Sequence, residues 1–178
     1  MPTIYLLRHC DYDNPRGISP GRLPVPLSAK GLARAEQLRL FFAKEKIARI
    51  YSSAVLRCQQ TATIIADDRI PIVYDQRLLE TLSAYQGYWV REEWGHFFAH
   101  QAGLGGETLT DIRQRMLAFY QEVLTTLPDQ ETVIVCSHGD PLQQLYTGLK
   151  QLPLPLNTQN YPETLEYGWL QKGEFLKL

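Results

Sequence analysis

The sequence predicts an α/β fold, a three-layer α/β/α sandwich around a mainly parallel central sheet. Two observations predict it. Short apolar runs rich in β-branched residues, which are typical of buried strands, alternate along the chain with segments of helical periodicity. The chain has 178 residues, enough for one well-packed core and too few for us to expect two. We therefore expect a single domain over residues 1–178.

The clearest strands are predicted at 3–7, 48–52 and 132–136, where aliphatic and β-branched residues dominate. Each is followed by a polar turn or loop. The first of these runs has the length and composition of a buried strand. Shorter strands are expected at 71–74, 164–170 and 174–178.

Helices are predicted between these strands. Ser28 is a suitable N-cap for the first helix. Thr108 and Asp111 resemble a capping box at the start of the clearest helix, which keeps helical spacing as far as Leu127. Two further helices are expected at about 54–66 and 141–149.

Composition and charge exclude several classes of function. Hydrophobic residues make up 44% of the chain, charged residues 21%, and the formal net charge is -1. This is an ordinary globular composition without the basic surface that nucleic acid or an anionic membrane requires. No apolar run approaches the ~20 residues needed to cross a bilayer, and the chain opens directly on a strand. We therefore expect a soluble, cytoplasmic protein with its three cysteines reduced.

Three predicted strands end in side chains that suit an anion. Arg8 and His9 follow the first strand, Arg57 lies just beyond the second, and His138 follows the third. The carboxyl ends of parallel strands meet in one crevice, so these side chains are expected to converge. Arginine binds two phosphate oxygens at once and stays charged at any relevant pH. The crevice is therefore predicted to bind a phosphate group.

The order and spacing of these motifs resemble the histidine phosphatase superfamily, which also contains the cofactor-dependent phosphoglycerate mutases. The matching stretches are Arg-His at 8–9, Ser-Ser-x-x-x-Arg-x-x-x-Thr-Ala at 52–62 and Ser-His-Gly at 137–139. The resemblance implies that a neutral His9 attacks phosphorus and forms a phosphohistidine, which water then hydrolyses. It also implies a phosphate-binding set, in which the second histidine stabilises the transition state: Arg8, Arg57, His138, Gly139 and Asn14.

The leaving alkoxide needs a proton from a general acid. Family members carry that acid in a segment reading Arg-Leu-x-Glu, which Arg77-Leu78-Leu79-Glu80 matches here, so the resemblance favours Glu80. Asp140, directly after the second histidine, is the alternative acid. No metal or cofactor is expected, because the arginines supply the positive charge that magnesium supplies in kinases.

The chain departs from the family pattern at several positions. Cys10 stands where the family has glycine, and its side chain is expected to narrow the pocket or redirect the loop. Asn14 falls one position early, and Arg34 replaces a glutamine. The Gly-x-Trp at 87–89 arrives late, which indicates an insertion after Glu80. The aromatic segment 85–98 is predicted to be partly core and partly a cover that selects the substrate.

Two other kinds of site chemistry are disfavoured by the residues present. His9-Cys10 followed by Arg16 matches the His-Cys-x5-Arg spacing of cysteine-dependent tyrosine phosphatases, but two aspartates and a proline inside that loop disfavour it. A metal site at His96 and His100 is disfavoured because no third ligand has a fitting offset. Cys10 is also a candidate for making activity sensitive to oxidation.

The predicted function is that of a phosphomonoester hydrolase acting through phosphohistidine on a small soluble phosphorylated molecule. Two alternatives stay open, a phosphoglycerate mutase-type phosphoryl transfer and a phospho-ligand binding protein without turnover. The modest length favours hydrolysis, since a mutase must enclose its phosphoryl group against water. The sequence does not specify the substrate or the oligomeric state.

Overall fold

The structure, a computed structural model, describes residues 1–89, 100, 102–154 and 170–178. Within these residues it contains five strands: β1 (Thr3–Arg8), β2 (Ile47–Ser52), β3 (Ile72–Tyr74), β4 (Thr132–Ser137) and β5 (Phe175–Lys177). They form one sheet in the order β3-β2-β4-β1-β5. β1 to β4 are parallel and β5 is antiparallel to β1. The predicted, mainly parallel sheet is confirmed.

Four helices that lie wholly within the described residues flank the sheet in two layers: α1 (Ala29–Phe42), α2 (Leu56–Ala66), α3 (Leu109–Glu122) and α4 (Gly139–Leu149). Buried residues of α3 and α4 pack with one face of the sheet, and those of α1 and α2 pack with the other. Side chains of β1 alternate accordingly, because Ile4 and Leu6 face the first layer and Tyr5 and Leu7 the second. The three-layer α/β/α fold is therefore also confirmed.

Both predicted helix caps are present. The hydroxyl of Ser28 accepts a hydrogen bond from the N–H of Gly31 at 3.1 Å. Thr108 and Asp111 form a reciprocal capping box at the start of α3. These caps satisfy backbone N–H groups that would otherwise lack partners in the first turn.

Some element ends differ from the sequence prediction. α3 ends at Glu122 instead of reaching Leu127, because the β-branched Val123, Thr125 and Thr126 favour the 3₁₀ turn that follows. α4 begins two residues early, since Pro141 is tolerated in a first helical turn. Most of the strand predicted at 164–170 lies outside the described residues.

The described helices are short. None of them is long and apolar enough to cross a membrane.

Candidate active site

The carboxyl ends of β1, β2 and β4 meet at one edge of the sheet. Arg8 pairs with Ser137 and Ser52 pairs with Cys136 in the parallel register. The backbone N–H of His9 donates to the carbonyl oxygen of Ser137 at 3.0 Å. The residues that follow the three strands are therefore neighbours, as the sequence led us to expect.

His9 is held as a neutral imidazole whose unprotonated ring nitrogen faces Arg57. It is buried, and its Nδ1 lies 2.8 Å from the carbonyl oxygen of Cys10, which can only accept a hydrogen bond. Nδ1 therefore carries the proton, and Nε2 accepts from the Nε–H of Arg57 at 3.2 Å. Burial lowers the pKa of His9 well below its ordinary value, and the positive charges of His138 and Arg57 lower it further. Such a histidine presents an unprotonated ring nitrogen at neutral pH.

Arg57 is the central cation of the site. Its side chain is completely buried, and Nη2 lies 2.9 Å from the Gly21 carbonyl oxygen and 3.1 Å from both Glu80 Oε2 and His138 Nδ1. Its Nη1 is also buried and has no hydrogen-bond partner among the described residues. A buried guanidinium donor without a partner is costly, so this atom is a natural contact for an anion.

Arg8 approaches the site from β1. Its Nη1 donates to the Leu170 carbonyl oxygen at 2.7 Å, while its Nε is buried without a partner in the described part of the chain. The guanidinium lies against Gly139, where an added Cβ would come within 3.1 Å of Arg8 Cζ. Because Gly139 has no side chain, the guanidinium of Arg8 can lie this close to the start of α4.

His138, which is completely buried, forms an ion pair with the partly buried Glu80 beside Arg57. Glu80 Oε2 lies 3.3 Å from His138 Nδ1, and the other ring nitrogen of His138 lies 2.9 Å from the Ser53 hydroxyl. Burial alone would lower the pKa of His138, but the negative charges of Cys58 and Glu80 raise it overall. Burial would raise the pKa of Glu80, but His138 and Arg57 lower it well below its ordinary value.

Three of these residues also have the spacing of a metal site. His9, Glu80 and His138 each offer a ligand atom, and the three atoms lie within 4.8 Å of one another. The guanidinium of Arg57 contacts all three residues, at His9 Nε2, Glu80 Oε2 and His138 Nδ1. The positively charged guanidinium of Arg57 therefore already contacts the three side chains that a metal ion would use as ligands.

Asn14 and Asp140 lie less directly at the site. The Asn14 side chain makes two hydrogen bonds with the backbone of Ile18, at 2.9 and 3.2 Å, and so shapes its own loop. Its phosphate-binding role stays a prediction. Asp140 lies in the first turn of α4 and accepts a hydrogen bond from the Thr81 hydroxyl at 3.3 Å. Asp140 therefore contacts the residue that directly follows Glu80.

Sequence reasoning missed three contributors to the site. The Gly21 carbonyl contacts Arg57, Ser53 contacts His138, and the Tyr12 ring lies 5.3 Å from Arg57 Cζ and 5.5 Å from the His9 ring. Ser53 belongs to the Ser-Ser motif, so a signal for it existed. Gly21 and Tyr12 lie in the long loop after His9, whose path the sequence does not specify.

A turn at residues 171–174 contacts the backbone of Arg8 and His9. The N–H of Gly173 lies within 3.1 Å of the Arg8 carbonyl and 3.0 Å of the His9 carbonyl. Lys172 pairs with Asp11 at 2.8 Å and lies 4.0 Å from the centre of the Tyr12 ring. The position of His9 therefore depends on a turn 160 residues further along the chain.

Cys10 faces the core and not the pocket. It is fully buried in a cluster with Tyr5, Leu7 and Ala35, so it does not narrow the pocket as expected from the missing glycine. Burial raises the pKa of its thiol to about 11, although a hydrogen bond with Thr61 opposes this. Together with an exposed Arg16, this geometry disfavours a cysteine nucleophile at position 10.

The aromatic segment and the paired histidines lie partly outside the described residues, which omit 90–99. Tyr88 and Trp89 are 70% and 66% exposed, so this described end of the segment is not core. The indole N–H of Trp89 donates to the Arg16 carbonyl at 2.6 Å and connects the segment to the loop after His9. His96 lies outside the described residues, and a metal site with His100 stays a disfavoured prediction.

Comparisons with known proteins agree with this geometry. A family model described as "Histidine phosphatase superfamily (branch 1)" matches residues 4–164. The chain is 30% identical to phosphoserine phosphatase 1 of Hydrogenobacter thermophilus over 84% of this chain and 76% of that protein. It is 27% identical to a 2,3-bisphosphoglycerate-dependent phosphoglycerate mutase of Rhizobium etli, over 86% of this chain and 83% of that one. The solved structure of YhfR from Bacillus stearothermophilus matches with a TM-score of 0.74 at 28% identity, over 88% and 84% of the two chains.

Proposed function

The chain belongs to the histidine phosphatase superfamily, and we propose that it is a metal-independent phosphatase that hydrolyses a small phosphomonoester through phosphohistidine at His9. The observation that carries this proposal is that two buried guanidinium atoms at this edge of the sheet, Arg57 Nη1 and Arg8 Nε, have no partners among the described residues. A phosphate dianion between them would supply the acceptors that both atoms lack. It would also bring phosphorus next to the lone pair of His9 Nε2.

The first half of the reaction transfers the phosphoryl group to His9. Nε2 attacks phosphorus, the P–O bond to the leaving group breaks, and the leaving oxygen takes a proton from Glu80. The hydrogen bond from His9 Nδ1 to the Cys10 carbonyl keeps the reacting nitrogen unprotonated and oriented. Charge on the transferring oxygens is stabilised by Arg57, Arg8 and His138.

The second half returns the enzyme to its starting state. Water attacks phosphorus, the P–N bond breaks, and the Glu80 carboxylate accepts a proton from the attacking water. Inorganic phosphate leaves, and His9 is again neutral with its proton on Nδ1. No metal ion takes part, since Arg57 already contacts each of the three candidate metal ligands.

Glu80 must be protonated to act as an acid, whereas its pKa is low without substrate. Arg57 and His138 lower that pKa through contacts at 3.1 and 3.3 Å. A bound phosphate competes for the same two cations and adds negative charge beside the carboxylate. Both effects raise the pKa of Glu80, so substrate binding itself favours the protonated carboxyl group that acts as the acid.

A phosphoglycerate mutase is the second candidate, favoured by the relative from Rhizobium etli. Incubation with 3-phosphoglycerate and its bisphosphate separates the two reactions. A phosphatase releases inorganic phosphate, whereas a mutase moves the phosphoryl group and releases little.

The buried reduced cysteines at positions 10, 58 and 136 support the cytoplasm as the place of action.

Hydrolysis of p-nitrophenyl phosphate at pH 5 to 8 in the presence of EDTA tests the proposal. The parent protein should turn over, and Cys10→Ser should keep its rate within about threefold, because that side chain lies in the core. His9→Ala should lose on the order of 10⁴-fold or more, the scale of removing a nucleophile. Activity that survived in His9→Ala but disappeared in Cys10→Ser would overturn the assignment, and an inactive parent would favour a binding protein.

A further inference from the structure

The segment that carries Glu80 has no regular secondary structure of its own. It follows the 3₁₀ turn at Gln76–Leu78, and residues 79–83 lie in neither a helix nor a strand. The Ser137 hydroxyl holds the start of this segment by donating to the Leu78 carbonyl oxygen at 2.7 Å. This contact with the end of β4 fixes Leu78, but the backbone of Glu80 must be held by other tertiary contacts.

Glu107 is a partly buried carboxylate that has no part in the reaction derived above. It directly precedes Thr108, the N-cap of α3, and its side chain is 16% exposed. Its Oε2 accepts from the backbone N–H of Leu82 at 2.6 Å, and the N–H of Glu107 donates to the Leu82 carbonyl oxygen at 2.9 Å. These two hydrogen bonds attach Glu107 to the chain two residues beyond Glu80.

Two arginines extend the contact from Glu107 to the rest of the segment. Arg115 pairs with both carboxylate oxygens, with Nε 2.7 Å from Oε1 and Nη2 3.1 Å from Oε2, and its Nη1 donates to the Arg77 carbonyl oxygen. Arg22 contacts Oε2 through Nη2 at 3.2 Å and donates from Nε to the Glu80 carbonyl oxygen at 2.8 Å. The backbone before, at and after Glu80 is therefore attached to one carboxylate.

We propose that Glu107 is a positioning residue that holds Glu80 where its carboxyl group meets the leaving oxygen of the substrate. The proposal rests on the proposed function, since it takes Glu80 as the general acid. Charge-assisted hydrogen bonds from both arginines to Glu107 fix the direction of their guanidinium groups, and with it the carbonyls that these groups contact. Proton transfer requires the acid within hydrogen-bond reach of the leaving oxygen, so a small displacement of Glu80 slows it. Glu107 thus acts through Glu80 and without touching the substrate.

Glu107→Gln tests the proposal, because glutamine keeps the size of the side chain but replaces one acceptor oxygen with an NH₂ donor. That NH₂ group must face the N–H of Leu82 or an arginine. The kcat/KM for glycerol 2-phosphate should fall by about tenfold to thirtyfold, less than the loss expected when the acid itself is removed. The kcat/KM for p-nitrophenyl phosphate should stay within about threefold of the parent value, because its leaving group needs little protonation.

Glu122→Gln is the matched control. Glu122 ends α3, its side chain is 70% exposed, and it pairs with the Arg77 guanidinium at 2.6 Å. This change also removes a carboxylate–arginine pair beside the segment, but it leaves the contacts with the backbone of residues 77–82 in place. Both esters should therefore be hydrolysed at the parent rate.

A double-mutant cycle with Glu80→Gln separates positioning of the acid from a general loss of structure. If Glu107 acts through Glu80, adding Glu107→Gln to Glu80→Gln should change kcat/KM for glycerol 2-phosphate by less than about twofold. An equal fall in the two backgrounds, or an equal fall for the two esters, would overturn the proposal. If Glu107→Gln does not fold, Glu107→Asp, which keeps the charge on a shorter side chain, provides the same comparison.

Amide hydrogen exchange provides a readout that does not depend on activity. The N–H of Leu82 should exchange about tenfold faster in Glu107→Gln than in the parent or in Glu122→Gln, because its acceptor is weakened. Unchanged exchange at Leu82, or parent-like hydrolysis of glycerol 2-phosphate by Glu107→Gln, would overturn the proposal. An inactive parent would refute the proposed function, whereas faster exchange at Leu82 would still uphold the part of Glu107 in holding the segment.

Discussion

The two halves of the site differ in how they are built. The strand side, residues 8–10, 52–58 and 136–139, supplies His9, Arg57 and His138, which are at most 1% exposed. The loop side, residues 16–23 and 80–89, ends in aromatic side chains that are about two-thirds exposed. The strand side is fixed by sheet register, whereas the loop side is held by contacts between two loops. A phosphate group is the same in every substrate, so its binding site can be rigid while the part that meets the rest of the ester varies.

The two loops are joined to each other by hydrogen bonds. The N–H of Ser19 donates to the Tyr88 carbonyl at 2.9 Å, and the N–H of Gly87 donates to the Ser19 carbonyl at 2.8 Å. The side-chain oxygen of Gln86 accepts from the N–H of Arg22 at 2.6 Å. Gly21, in a left-handed conformation, has no room for a Cβ beside Gln86 and contacts Arg57 through its carbonyl. The loop side therefore meets the strand side at Gly21 and Glu80.

Among the changes that compare the two sides of the site, the largest loss of kcat/KM is expected at Arg57. Arg57→Lys keeps the charge but cannot contact His9, Glu80 and a phosphate together. We expect kcat/KM for p-nitrophenyl phosphate to fall by about 10² to 10³, the scale of losing a transition-state donor. Arg49→Lys, a change of the same type at a partly exposed ion pair on β2, should behave like the parent. Parent-like kinetics for Arg57→Lys would refute the rigid strand side as the phosphate site.

A smaller, substrate-dependent effect is expected from the loop side at Glu80. Glu80→Gln removes the proton donor, so hydrolysis of an alkyl phosphate such as glycerol 2-phosphate should slow by about 10²-fold. The kcat/KM for p-nitrophenyl phosphate, which reports the first half of the reaction, should change less, because its leaving group needs little protonation. Asp140→Asn is the matched control and should alter neither rate by more than a few-fold. The reverse outcome would assign the acid to Asp140.

The smallest effect is expected at the contact between the two loops. Gln86→Ala removes the acceptor of the Arg22 N–H, a loss of about 1 kcal/mol in the free energy of unfolding. The KM for bulky esters should change by a few-fold, and kcat for p-nitrophenyl phosphate should stay the same. Gln37→Ala on the exposed face of α1 should change neither quantity. A large fall in kcat for p-nitrophenyl phosphate with Gln86→Ala would show that the chemistry depends on the contact between the two loops, against this account.

The same division explains how much the sequence could predict. Apolar runs and the polar residues directly after them are local signals, so the strands and the convergence of Arg8, His9 and His138 could be predicted. Glu80 was accessible only through the family motif, because nothing local distinguishes it from other acidic residues near turns. Caps such as Ser28 and Thr108 were likewise local.

The remaining features depend on tertiary contacts between distant segments. Gly173 braces the carbonyls of Arg8 and His9, and Gly21 reaches Arg57 from the long loop, yet neither residue carries a local sign of these contacts. Cys10 was expected to narrow the pocket, but the chain turns its side chain into the core beside Gly173. The orientation of a single residue after a strand is decided by such packing and not by its spacing.

The central claim is that His9 accepts the phosphoryl group, and the most direct measurement is to trap that intermediate. Parent protein is mixed rapidly with substrate, quenched in alkali, in which phosphohistidine is stable, and digested for mass spectrometry. We expect one phosphoryl group on His9 in the parent and in Cys10→Ser, and none in His9→Ala. A phosphoryl group on Cys10, or turnover at the parent rate by His9→Ala, would contradict the account.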